Sequence, residues 1–212
     1  MSFKFDTAPQ GSPEWLAVRR GRITGSRFRD ALDRTAKGEL SSRARLYMLD
    51  TARERFGGSA APVFVNAAMR TGTEQEPLAR AEYEAETGNV VLEAGFAYTD
   101  DGRFGCSVDG LAGGDGIIEI KTIVSSDTLF TTFVECDYSA YMDQIVGSLW
   151  ILGREWCDLI LWAPDLPMGC MKIVRIQRDE AAIKKLAGAL LEFDAKVEAH
   201  FERLSDAVAI AA

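Results

Sequence analysis

The sequence predicts a mixed α/β (α+β) fold in which helices flank a mixed central sheet of about five strands. Three observations lead there. The chain has 212 residues, 47% of them apolar, which suits one domain over 1–212 with a core that needs no staples. Helical periodicity dominates both ends of the chain, whereas period-two alternation dominates much of the middle. Glycine-rich turn signals, "DDG" and "GGDG", separate consecutive strand candidates there.

The elements follow in order. "SPEWLAVRRG" opens with Ser12 as cap, Pro13 at the first helical position and Glu14 in the first turn, and it ends at Gly21. A second helix is expected from Ser26 to about Leu32. "SSRARLYMLDTARERFGG" carries Leu46, Leu49 and Phe56 at helical spacing and stops at a glycine pair. "TEQEPLARAEYEAETG" reads as a helix whose first turn holds Pro77, where amides lack intrahelical partners. "NVVLEAGFAYT", "FGCSVDGLA" and "IIEIKTI" read as three strands. After a connector without clear pattern, "SAYMDQIVGSLWILG" is a long apolar helix. "CDLILWAP" and "GCMKIVRIQ" are two further strands, and a charged helix over about 179–204 closes the chain.

Composition removes several classes of function. The single histidine, His200, lies in that charged tail, which argues against histidine triads and histidine metal sites. Cys106, Cys136, Cys157 and Cys170 are too scattered for a zinc ribbon or a disulfide scaffold, so reduced thiols are expected. No signal peptide or membrane-spanning stretch is apparent, and a soluble, cytoplasmic chain is expected. Net charge is −8, yet Arg19 to Arg45 holds nine basic residues against three acidic, a surplus of six that leaves −14 for the rest. Such asymmetry suits a protein that meets a polyanion along one lining; a solvated basic face is the simpler alternative.

The stretch "CSVDGLAGGDGIIEIKT" concentrates the chemistry. In "IIEIKT" a period of two sends Glu119 and Lys121 to one face and Ile118 and Ile120 to the other. Asp109 shares the charged face only if the hairpin loop has odd length; a five-residue loop or bulge, pairing Asp109 with Lys121, is expected. Two carboxylates and a lysine on one face suit metal-assisted phosphodiester hydrolysis. Hard oxygen ligands hold Mg²⁺, and the lysine orients water and offsets developing charge. A cross-strand ion pair is the plainer reading of the same spacing.

The D...E-x-K arrangement resembles the PD-(D/E)XK nucleases, with "VDG" in place of the usual proline and aspartate. More narrowly, "RRGRITGS", "GTEQEPLARAEYEAETG", "CSVDG...EIKT" and "YMDQIVGSLWILGREWCDLILWAP", in this order from Arg19 to Pro164, resemble the YqaJ-type viral recombinases of the lambda exonuclease family. The resemblance implies a restriction-endonuclease-like core over about 70–178, preceded by a basic helical segment over 12–56. It implies that Asp109, Glu119 and the backbone carbonyl of Ile120 bind metal, that Lys121 is catalytic, and that Glu76 approaches a second ion, through water. Thr73-x-x-Glu76 is equally a capping box. Gln144, on an apolar helix, would hold the site and the terminal phosphate; a backbone hydrogen bond is its alternative.

Arg19, Ser26 and Ser107 match the residues that bind a 5′-phosphate, although Ser26 also reads as a helix cap and Arg19 as a solvated side chain. Met69 falls where the family has a wedge that splits the duplex end; a lone methionine is also ordinary core. The resemblance further implies a 5′-to-3′ exonuclease of linear double-stranded DNA using two Mg²⁺ ions per site, with Mn²⁺ able to substitute. A ring-shaped homotrimer, a single-strand annealing protein as partner, and a phage or prophage setting come with it. A structure-selective endonuclease or Cas4-like enzyme of the same fold, or a non-catalytic DNA-end binding module, are the alternatives; scattered cysteines disfavour an iron–sulfur version.

Overall fold

The "IIEIKT" strand lies at the centre of the molecule, and what packs on its two faces sets the architecture. In the computed structural model, which describes residues 3–60, 66–167 and 170–211, the chain runs β1 (Phe3–Asp6), α1 (Pro13–Arg19), β2 (Ile23–Thr24), α2 (Phe28–Leu32), α3 (Ser42–Arg55), α4 (Ala67–Thr87), β3 (Val91–Leu92), β4 (Phe96–Thr99), β5 (Phe104–Ser107), β6 (Gly110–Ala112), β7 (Gly116–Thr122), α5 (Ser126–Leu129), α6 (Ser139–Leu152), β8 (Trp156–Ala163), β9 (Cys170–Gln177) and α7 (Glu180–Ala211). A short 3₁₀ turn, Gly25–Arg27, precedes α2, and a π-helical turn, Phe130–Val134, occupies the connector that sequence pattern left open.

A five-stranded mixed sheet, ordered β3-β6-β7-β8-β9, matches the expected one. β7 and β8 are parallel, joined through α6, and the other pairs are antiparallel. Ile118 and Ile120 face α4, packing with Ala79 and Tyr83. Ile117 and its neighbours Leu159 and Leu161 face the larger core, closed by Ile145 and Leu149 of α6 and by Leu190 and Phe193 of α7. Both faces of the strand are therefore covered, so its two charges stand at the end of a buried surface. A second sheet, β1-β4-β5-β2, lies outside the sequence expectation.

Two predicted strands are each divided between these sheets. The chain leaves β3 for β4 at 93–95 and β5 for β6 at Val108 and Asp109. Gly95 permits the first crossing, because a Cβ there would lie 1.8 Å from the Asp6 carbonyl. The second crossing puts Asp109 on a bend. Pairing of Gly110 with Ile118 and Ala112 with Gly116 leaves a three-residue loop, 113–115. Its length is odd, as Asp109 requires, but two residues shorter than predicted. Extending that register sets Asp109 opposite Glu119 rather than Lys121.

The helix carrying Glu76 also begins earlier than its capping signals suggest. Asn66, not Thr73, caps α4 by accepting from the Met69 amide. Pro77 consequently sits in the helix interior, and the Thr73 hydroxyl donates to the Met69 carbonyl one turn back. The capping-box reading of Glu76 is thereby removed. Ser26 lies within the 3₁₀ turn, and it is the N-cap residue of neither that turn, which starts after Thr24, nor α2, which starts after Arg27. The last helix runs to Ala211, beyond the predicted 204. All four cysteines are free.

Candidate active site

Glu119 and Lys121 project toward α6, where Gln144 meets both. Lys121 Nζ donates to Glu119 Oε1 at 2.7 Å and to Gln144 Oε1 at 3.2 Å, and Gln144 Nε2 donates to the same Glu119 oxygen at 2.6 Å. The half-buried glutamine thus satisfies its amide on site side chains rather than on backbone. Glu119 is 2% exposed, yet its Oε2 has no hydrogen-bond partner among the described residues. An unmade hydrogen bond of this kind costs about 1–3 kcal/mol. Asp109 reaches the same place from the bend: its Oδ2 accepts from the Ile120 amide at 2.6 Å. Glu76 approaches from α4 and is held by Arg80, one turn on, at 2.7 Å.

Charge crowding and burial act together on these groups. Burial pushes Glu119 up to about 7, with Asp109 adding to the rise and Lys121 opposing it. Asp109 is raised by burial against the pull of Lys121 and the Ile120 amide. Burial, then Asp109, raises Glu76, while Arg80 opposes. Burial works against the Lys121 ammonium, but Glu119 and Asp109 outweigh it and raise its pKa. Burial thus favours the protonated form of all three acids, while their proximity keeps the one ammonium charged.

A cleft of about 490 Å³ gathers every residue singled out from sequence: Arg19, Ser26, Met69, Glu76, Ser107, Asp109, Glu119, Ile120, Lys121 and Gln144. Met69 is 48% exposed, so it is not core. The Ser107 hydroxyl is buried without a hydrogen-bond partner among the described residues. Arg19 is half-buried and makes no ion pair among the described residues; its guanidinium lies 4.1 Å from the Trp15 ring and 5.2 Å from Phe96, and burial lowers its pKa. The turn after it is pinned through Gly21, whose amide donates to Glu54 Oε2 and whose carbonyl accepts from Arg55 Nε, both at 2.9 Å. Gly21 has φ +71°, and a Cβ there would lie 3.0 Å from Arg55 Cγ.

The donors present fit a hard divalent cation: two acidic side chains, one with an idle oxygen, beside the backbone of Ile120. Among the described residues no group of three or more Asp, Glu, His or Cys side chains is gathered closely enough to hold a metal ion, so the fit rests on these two carboxyls and the backbone beside them. Trp15 and Arg80 were missed in the sequence. Each stands four residues from a recognised one, Arg19 and Glu76, and that helical spacing was the available signal.

A family model for the YqaJ-like viral recombinase domain matches residues 14–155. The chain belongs to that family. The YqaJ-like fold is shared with an alkaline exonuclease from Laribacter hongkongensis, 35% identical, with a TM-score of 0.83 over 95% of this chain and all of that one. The same exonuclease in complex with dAMP matches with a TM-score of 0.84 at the same identity and coverage. A phage-related exonuclease from Haemophilus somnus 129PT shares the fold at 15% identity, with a TM-score of 0.67 over 88% of this chain and 96% of that one. The core is of the restriction-endonuclease-like PD-(D/E)XK type. No curated protein matches the chain. Among the described residues no helix is long and apolar enough to cross a membrane.

Proposed function

We propose that this YqaJ-like domain is a Mg²⁺-dependent exonuclease that digests one strand of linear double-stranded DNA from its 5′ end, releasing mononucleotides and leaving a 3′ overhang. The observation that carries the reading is one cleft in which an unsatisfied buried Glu119, Asp109, Lys121 and Gln144 meet Arg19 and Ser107, two donors that have no acidic partner among the described residues. Likeness to an alkaline exonuclease that also exists as a dAMP complex supports it, since dAMP is the kind of product such digestion yields.

Asp109, Glu119 and the Ile120 carbonyl would hold Mg²⁺, with Glu76 serving a second ion through water. When bound, the cation polarises the phosphate and lowers the pKa of water. The chain's own groups do the rest. Lys121 Nζ, kept charged by its carboxylate neighbours, orients the attacking water and offsets charge that develops on the phosphate. Gln144 fixes the rotamers of Glu119 and Lys121. Arg19, rigid against Trp15, presents its fork to the 5′-phosphate, with Ser26 and Ser107 as further donors. Met69, exposed in the lining of that cleft, would part the terminal base pair.

A trimeric ring with the basic 19–45 segment inward would keep the DNA enclosed, and a single-strand annealing protein would receive the overhang in a phage or prophage setting within the bacterial cytoplasm. The deciding experiment incubates 5′-phosphorylated linear duplex, its 5′-hydroxyl counterpart and closed circular plasmid with the protein and Mg²⁺. Loss of only the linear forms, faster with phosphate, is the expected outcome. Cleavage of the circle would overturn the exonuclease reading.

A further inference from the structure

A second cleft, of about 550 Å³, opens beside the first, and the two share Gln10, Thr73, Glu76 and Asp109. Beyond those residues their linings part. The first continues to Arg19, Ser26 and Ser107, whereas the second continues to Arg80, its one basic lining residue among the described residues, against Pro9, Ala94 and Val108. A strand cut at the shared carboxylates has a portion on each side of the cut. If its 5′ terminus occupies the first cleft, the remainder needs a second path.

We propose, resting on the exonuclease reading above, that the second cleft seats the nucleotide on the 3′ side of the scissile bond and that Arg80 grips the phosphate one linkage beyond the cut. The Arg80 guanidinium is only partly engaged. Its Nη2 is committed to Glu76 at 2.7 Å, but its Nη1 meets Glu93 at 3.4 Å, and the Glu93 side chain is 89% exposed. A long pair with a solvated partner contributes little, so a phosphate displaces Glu93 and accepts from the freed donor. Pro9, Ala94 and Val108 supply apolar wall for the sugar and base. Three phosphate seats then stand in series: Arg19 for the terminus, the carboxylates for the bond being cut, and Arg80 for the next. Each advance by one nucleotide moves the Arg80 phosphate to the carboxylates.

The test uses full-length protein, Mg²⁺ and two 5′-phosphorylated linear duplexes, one carrying a single neutral methylphosphonate at the linkage after the scissile one. The first-turnover rate of the wild type should fall about tenfold on the modified strand. Arg80→Gln should be slow on the unmodified duplex and, within about twofold, equally slow on the modified one. Glu93→Gln, at an exposed position, should act about two- to threefold faster than wild type on the unmodified duplex, with no gain on the modified one. Penalties that multiply in Arg80→Gln, a methylphosphonate that costs the wild type nothing, or a Glu93→Gln gain equal on both duplexes would each overturn the proposal. If Arg80→Gln fails to fold or loses all activity through Glu76, the Glu93→Gln comparison decides alone. A wild type inactive on the unmodified duplex would instead refute the nuclease reading, and this proposal with it.

Discussion

Two acidic side chains, Glu119 and Asp158, lie on adjacent strands of one sheet and are equally hidden from water, at 2% and 1% exposed. Asp158 is fully met: Arg175 Nε donates to its Oδ1 at 2.7 Å, and Arg175 Nη2 and the Tyr83 hydroxyl donate to its Oδ2 at 2.8 and 2.7 Å. Arg175 is itself stacked on Trp156, 3.7 Å from the ring. Glu119 has both of its donors on one oxygen and none on the other. Burial alone therefore does not mark a functional carboxylate. What separates the two is whether the fold supplies enough donors, and where it withholds them a ligand has room to bind.

The comparison breaks most sharply at Lys121. Lys121→Ala should lower single-turnover hydrolysis by about 10²–10⁴-fold in a protein that remains folded by circular dichroism. Wild-type rates would remove the lysine from the mechanism. Asp158→Ala should do the opposite, costing about 2–3 kcal/mol by denaturant titration through its lost charge-assisted bonds, while Glu119→Gln leaves the metal-free protein as stable as wild type or more so.

The pH response sharpens the contrast further. Folded Glu119 keeps its proton to about pH 7, whereas the unfolded chain releases it near ~4.3. Its folded pKa is raised, so the folded state binds the extra proton, and the metal-free protein should lose stability as pH rises through that window. Glu119→Gln should flatten the dependence. Divalent metal should compensate more at pH 8 than at pH 6, adding ~2.7 kcal/mol at a hundredfold excess over Kd and shifting the melting point by roughly 5–10 °C. A shift that shrinks with rising pH would contradict the assignment. The smallest effect is expected at Gly21. Gly21→Ala should cost about 1 kcal/mol for its left-handed backbone and narrow the rate preference for 5′-phosphorylated over 5′-hydroxyl ends.

The sequence made the charged strand legible because period-two alternation assigns faces without reference to partners, and the odd-length loop needed to bring Asp109 alongside follows from the same parity. The loop's actual length, and hence Asp109 opposite Glu119, depends on where the chain changes sheets, which the alternation does not encode. Both crossings, at 93–95 and at Val108 and Asp109, lie inside runs that read as continuous strands. Pro77 misled for a related reason. Proline is tolerated most readily in a first turn, yet here packing of Ala79 and Tyr83 against β7 keeps α4 helical through it. The four-stranded sheet escaped notice because β1 and β2 have four and two residues, too short for a periodic signal. Trp15 and Arg80 matter through what they touch, Arg19 and Glu76, and only their four-residue helical spacing from those two marks them in the sequence.

Calorimetric titration of Mn²⁺ into wild type and Glu119→Gln at pH 8 tests the donor-deficit claim most directly. Saturable binding to the wild type, abolished or weakened at least tenfold in the amide variant with the fold intact, is the predicted result. Equal heats and affinities for the two proteins would show that the idle oxygen of Glu119 holds no cation.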